Sequence, residues 1–191
     1  MNIVKRKELR CLSLVAFPDE IFSRWLKDLV IEIMCLDESH YFYREDHFHI
    51  TIKKISELGV KIEESLIEEN INLLESKLKS LCFHLEVDKL VYNQSDIFLL
   101  FKPNNKLKNL RLELNSQPSS SYIATAHLTV CRLLDSPNKR LAKFIQTFKL
   151  VNVPVFKLRE VELIACDGVC SPDTRLIYFC GKMTPENLLN S

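Results

Sequence analysis

The chain has 191 residues, 47% of them apolar and 27% charged, a balance that favours one domain with a proper core and an ordinary soluble surface. Its 26 basic and 25 acidic residues leave a formal charge of +1, so it lacks the basic excess with which a non-specific duplex binder neutralises many phosphates. Only three glycines occur, and neither a dinucleotide-binding nor a Walker glycine pattern is present.

In chain order, the first ten residues are basic, and the apolar run over 11–17 is too short for a secretory leader. Residues 9–17 read as a strand. Pro18-Asp19-Glu20 then opens a helix to about residue 34, with proline in its first turn and acids at its positive end. A short strand is expected over 41–43 and a clearer one over 47–55. Residues 62–81 carry helical apolar spacing, and 83–92 alternate as a half-buried strand should. Asn93-Gln94-Ser95-Asp96 makes a hairpin turn into a strand over 97–101. Pro103-Asn104-Asn105 starts a helix over 106–115, and 117–121 is a polar loop. A strand over 124–133 follows, then a helix capped by Ser136-Pro137 and running to about 148. Strands over 151–156, 158–166 and 176–182 finish the pattern. One domain over 1–185 is expected, with a frayed tail over 186–191. No apolar run reaches the length of a membrane span.

The seven cysteines stand at 11, 35, 82, 131, 166, 170 and 180. None form C-x-x-C, and several lie inside apolar runs, as small buried residues of a reducing cytosol would. Cys166 and Cys170 are the only close pair, without the second pair or nearby histidine that structural zinc needs. No metal and no cofactor are expected, and the location expected is cytoplasmic.

One pattern repeats. A strand, a proline-started helix and a strand bearing His-x-Thr occur once from 9 to 51 and again from 97 to 129. The residue identity between the halves is weak, but the order suggests a duplicated unit. The two copies of the motif are His49-Ile50-Thr51-Ile52 and His127-Leu128-Thr129-Val130. With five histidines and six threonines in the chain, roughly 0.16 occurrences of His-x-Thr are expected by chance, against two found. On a strand, residues i and i+2 share a face. His49 and Thr51 then point one way and Ile50 and Ile52 into a core, and the second copy does the same.

These residue types suit phosphodiester cleavage. A neutral imidazole can take a proton from an attacking water, and an imidazolium can give one to the leaving ester oxygen. Two threonine hydroxyls can donate to the phosphate oxygens on which charge grows. No metal is required for those steps. His47 lies two residues before His49 and is a candidate for the same cleft. His40 and His84 have no matching threonine and read as structural.

Asp46-His47-Phe48-His49-Ile-Thr51-Ile and Ala126-His127-Leu-Thr129-Val-Cys-Arg132 resemble the two motifs of the two-histidine (2H) phosphoesterases, and within them the 2′-5′ RNA ligase-like RNA 2′,3′-cyclic phosphodiesterases. Leu9-Arg-Cys-Leu-Ser-Leu-Val-Ala-Phe-Pro18 is similar to that family's opening strand. The resemblance implies an α+β fold of two pseudo-symmetric lobes, each an antiparallel sheet backed by helices, with the active-site cleft between them. It implies His49 and His127 as catalytic, Thr51, Thr129 and Arg132 as phosphate-binding, and no cofactor. Arg132 would be a phosphate clamp, a task suited to a bidentate, permanently charged guanidinium. Lys54 holds the matching place after His49, where strand alternation puts it on the opposite face. Tyr43, His47 and Tyr122 are candidate substrate contacts.

The implied activity is hydrolysis of 2′,3′-cyclic phosphates at RNA 3′ ends or on small nucleotides. A sister activity on 2′-5′ oligoadenylates or another signalling nucleotide predicts the same histidines. A non-catalytic RNA-binding module on the same fold is the alternative from another class, and it has no need of a matched acid and base. A monomer with no obligate protein partner and no membrane contact is expected.

Overall fold

A computed structural model of the chain describes residues 10–77, 81, 83–116, 125–166 and 176–182. Strand β1 (Cys11–Pro18) leads into helix α1 (Glu20–Leu36), followed by β2 (Tyr41–Phe42), a 3-10 turn (Glu45–His47) and β3 (Ile50–Lys54). Helix α2 (Glu64–Lys77), β4 (His84–Leu85), β5 (Val87–Tyr92) and β6 (Asp96–Phe101) come next. Helix α3 (Asn105–Glu113), β7 (His127–Arg132), α4 (Lys139–Thr147), β8 (Phe156–Cys166) and β9 (Leu176–Lys182) complete the described chain. The architecture is α+β, with two antiparallel sheets backed by helices.

The first sheet runs β3-β1-β8, with β4 pairing the start of β8 and β9 pairing the rest. The second runs β2-β7-β6-β5. The expected duplication is visible in the pairing. β1 precedes α1 and pairs antiparallel with β3, and β6 precedes α3 and pairs antiparallel with β7. Each helix starts the same way. Asp19 caps α1 by accepting from the Phe22 N–H at 3.0 Å, and Asn104 caps α3 by accepting from the Leu107 N–H at 2.9 Å. Pro18 and Pro103 therefore stand just before the cap rather than inside the first turn, where their lack of an N–H is equally harmless.

Five sequence expectations are corrected. The cap expected at Ser136-Pro137 is Asn138, which accepts from the Leu141 N–H at 2.9 Å. The alternating run over 83–92 is two strands. β4 pairs β8 in the first sheet and β5 pairs β6 in the second, so the segment crosses between the lobes at Glu86, which hydropathy alone does not mark. Residues 151–155 form no strand, and β8 is a single strand of 11 residues. The ladder of β3 begins at Ile50, one residue after His49. Cys35 and Cys180 are exposed, while Cys11, Cys131 and Cys166 are buried. The tail over 186–191, Cys82 and Cys170 lie outside the described residues.

One apolar core serves both sheets. It joins Leu12, Leu14 and Ala16 of β1 and Leu163 of β8 to Ile97 and Leu99 of β6 and Leu128 and Val130 of β7. At its centre Phe22 of α1 meets Phe156 of the first sheet at 5.4 Å and Phe101 of the second at 6.1 Å between ring centroids. A separate small cluster of Cys11, Val15, Phe17, Ile164 and Cys166 covers the other face of the first sheet. No helix among the described residues is long and apolar enough to cross a membrane.

Candidate active site

The two His-x-Thr segments come together where the lobes meet. β3 is the edge of the first sheet. β2 pairs only the Cys131–Arg132 end of β7, which leaves the His127–Val130 end to approach β3. Ile50, Ile52, Leu128 and Val130 are fully buried, whereas His49, Thr51, His127 and Thr129 are half-buried. The alternation expected from the sequence therefore holds through the threonine of each motif.

Beyond the threonine it breaks, at the same place in both copies. Thr51 stands opposite Val15 but Lys53 opposite Leu14, so Ile52 is an extra residue in β3. Thr129 stands opposite Phe98 but Cys131 opposite Ile97, so Val130 is an extra residue in β7. Each is a β-bulge, which re-aims every later side chain of its strand. Directly opposed residues of an antiparallel pair share a face. Arg132 stands opposite Asp96, which has the parity of Phe98 and Leu100, so it shares the face of His127 and Thr129. Regular alternation would have turned it away. Lys54 stands opposite Ser13 and shares the face of Thr51. The expectation that Lys54 lies on the opposite face is thus overturned by the bulge.

The two histidines are held alike. His49 Nδ1 lies 2.7 Å from the His47 carbonyl oxygen, and His127 Nδ1 lies 3.5 Å from that of Thr125. In each case the partner is two residues upstream. Donation from Nδ1–H leaves the lone pair of a neutral ring on Nε2. Each ring also meets a phenylalanine: Phe17 at 6.2 Å from His49, and Phe98 at 5.7 Å and edge-on to His127. Burial lowers the proton affinity of His127 below the usual imidazole range, and the charges of Arg111 and His49 push the same way. The Thr125 carbonyl and Asp96 oppose the shift.

The remaining candidates take different places. Arg132 Nε donates to the Tyr43 hydroxyl at 2.6 Å, and its Nη1 lies 3.6 Å from Asp96 Oδ1. Tyr43 is only 9% exposed, so its described contact is with the arginine, and Tyr41, 47% exposed, is the open ring beside it. His47 enters through its backbone carbonyl, while its Nε2 lies 3.5 Å from Asp46. Lys54 is paired with Glu57. His40 is buried against Asp37. Tyr122 lies outside the described residues.

Sequence reasoning missed Phe17, Phe98 and Arg111. Phe98 had a signal, since it occupies the outward parity of β6. Phe17 and Arg111 had none, because both are defined by partners distant in sequence. A cavity of about 600 Å³ shares Phe17 with the His49 side of the site and is also lined by Phe48, Arg44, Glu160 and Glu162. Val15, Thr51, Glu162 and Cys180 form one cross-strand row, which puts Glu162 about 10 Å from Thr51 at ordinary strand spacing. Among the described residues, Glu160, Glu162 and Cys180 are the one group whose donor atoms cluster closely enough for a cation. The Cys180 thiol donates to Glu160 at 2.7 Å, and its partial burial and that carboxylate push it up to about 11. It is held as a protonated thiol rather than as a ligating thiolate.

The structure shares its fold with E. coli LigT and with a solved phosphoesterase. The structure matches E. coli LigT complexed with ATP at a TM-score of 0.59 and 15% identity, over 93% of this chain and 99% of that one. It matches a phosphoesterase at 0.57 and 13%, over 92% and 99%, and Kluyveromyces marxianus Usb1 at 0.56 and 12%, over 94% and 100%. LigT is also known in complexes with phosphate, 3′-AMP and NADP+. No protein-family model and no curated protein matches the sequence.

Proposed function

We propose that the chain is a metal-independent phosphodiesterase that hydrolyses 2′,3′-cyclic phosphates of RNA ends or small nucleotides. The observation that carries this reading is the matched pair of His-x-Thr strands, each bulged at its fourth residue and each holding its histidine by Nδ1. Two such strands converging on one cleft supply an acid, a base and two hydroxyl donors, and the bulge adds Arg132 to the second set. The nucleotide and phosphate complexes of LigT agree with a ligand of that class.

His127 is the base in this reading, because its lowered proton affinity keeps it neutral near pH 7. Its Nε2 takes a proton from water as the water oxygen bonds to phosphorus. The bond from phosphorus to the 2′ or 3′ oxygen breaks, and His49 Nε2–H gives its proton to that oxygen. Thr51, Thr129 and Arg132 donate to the non-bridging oxygens, whose negative charge grows in the transition state. Each proton transfer contributes roughly 10²–10⁴-fold.

The test offers EDTA-treated protein a panel of 2′,3′-cyclic nucleotides and 2′-5′ oligoadenylate. Turnover of the cyclic substrates, lost in His49→Ala and in His127→Ala, is expected. Turnover of the oligoadenylate alone would select the sister activity. Tight RNA binding with no turnover of any substrate would select a binding module, and loss of turnover on EDTA treatment would sink the metal-free steps.

A further inference from the structure

We propose that Arg111 is a positioning residue for the two-histidine reaction: with Lys53 it locks the bulge of the first motif to the second lobe and so sets the spacing between the two histidines. The inference rests on the reading of His49 and His127 as the reacting pair. Arg111 lies in the last turn of α3, in the second lobe, and is 5% exposed. Its Nε donates to the carbonyl oxygen of Ile52 at 2.6 Å. Ile52 is the extra residue of the first bulge, the one for which the β1 ladder has no opposite number. The contact is answered from the other side. Lys53 Nζ donates to the carbonyl oxygens of Arg111 at 2.8 Å and Leu114 at 2.5 Å. Those carbonyls belong to the end of α3, where helical carbonyls lack an intrahelical donor and a cation is favoured. The helix grips the strand at its bulge, and the strand grips the helix at its end.

A buried guanidinium is costly to desolvate, and a neutral donor could satisfy one carbonyl. The charge has a second effect that a neutral donor would lack. It lowers the proton affinity of His127, together with burial and His49, against the opposing pull of Asp96. Among the described residues, the charged and titratable groups that act on His127 are Arg111 from α3, Asp96 from β6 and His49 before β3, with Arg132 further along its own strand. One side chain thereby couples the geometry of the first motif to the proton state of the second.

The experiment compares wild type, Arg111→Met, Arg111→Lys and Lys53→Met, using 2′,3′-cyclic AMP kinetics across pH and an NMR titration of His127 without substrate. Arg111→Met should lower kcat about 10–100-fold, the scale of a misplacement near 1 Å, with KM little changed. Its His127 midpoint and the ascending limb of kcat/KM should both move to higher pH. Arg111→Lys should restore the midpoint but not the full rate. Lys53→Met should lower kcat and leave the midpoint in place, which keeps the clasp testable if Arg111→Met does not fold. Folded Arg111→Met with wild-type kcat and an unmoved His127 midpoint would overturn the proposal, as would full activity in Lys53→Met. Wild-type protein that turned over no nucleotide would instead sink the two-histidine reading, while the His127 titration would still report on Arg111.

Discussion

Two residues show how burial sets chemistry in this chain. Burial holds His127 below the ordinary imidazole range, so the ascending limb of kcat/KM should have its midpoint below about 6.5. An ascending limb centred at or above that value would contradict the assignment of His127 as base. The sign carries over to stability. A histidine that binds its proton less readily folded than unfolded makes the folded state lose stability as pH falls through about 6.5, and the loss levels off below the folded midpoint. Tyr43 acts on Arg132 through one short hydrogen bond. Hydrogen bonds to charged groups are worth about 1.5–3 kcal/mol, so Tyr43→Phe should reduce kcat/KM by roughly tenfold or more in steady-state assays. Whatever part of that loss falls on stability should appear at about 2–4 °C of melting temperature per kcal/mol, while the ring itself keeps its packing. Cys180 is exposed, yet its thiol is pushed up to about 11 by partial burial and Glu160. Mass-spectrometric alkylation at pH 8 should therefore modify it slowly, and Glu160→Gln should speed the reaction.

Among the elements, the helices begin where their caps dictate. Asn104 holds the first turn of α3, and Asn104→Ala should cost about 1 kcal/mol, or about 2–4 °C in a protein of this size. Thermal unfolding followed by circular dichroism measures it. The loss should be accompanied by lower activity, since α3 carries Arg111. The strands show where sequence reading succeeds and where it stops. His49, Thr51, His127 and Thr129 were legible because alternation is a local property of a strand, and the apolar partners Ile50 and Leu128 advertise the core face. The placement of Arg132 and Lys54 was not legible. A bulge is defined by pairing with another strand, and neither Ile52 nor Val130 differs in type from a regular strand residue. The division of the 83–92 run was hidden for a similar reason, since both parts are apolar and only their partners distinguish β4 from β5. The 3-10 turn that puts the His47 carbonyl under His49 likewise left no mark in the hydropathy.

At the scale of the whole molecule, two lobes share one interior. Phe22, Phe101 and Phe156 come from a helix and from both sheets, and each is at most 1% exposed. Truncation of such a residue typically costs 3–5 kcal/mol, so Phe22→Ala should lower the melting temperature by roughly 6–20 °C. The lobes should still melt in one transition, with near- and far-ultraviolet circular dichroism superimposed. Two separated transitions would show that each lobe is a folding unit of its own.

The paired bulges also bear on direction. On the proposed function, a site with near-two-fold symmetry has no intrinsic head or tail, and a nucleotide strand can lie across it either way round. What separates the two ends is the cation that each bulge presents. Arg132 is braced by Tyr43 and lies 3.6 Å from Asp96, whereas Lys54 is held closely by Glu57. On the proposed function, the polarity with which a strand enters then follows from how tightly each of these cations is held. Releasing Lys54 with Glu57→Gln should make the two orientations more nearly equal, and the ratio of 2′- to 3′-phosphate in the products should move toward a mixture.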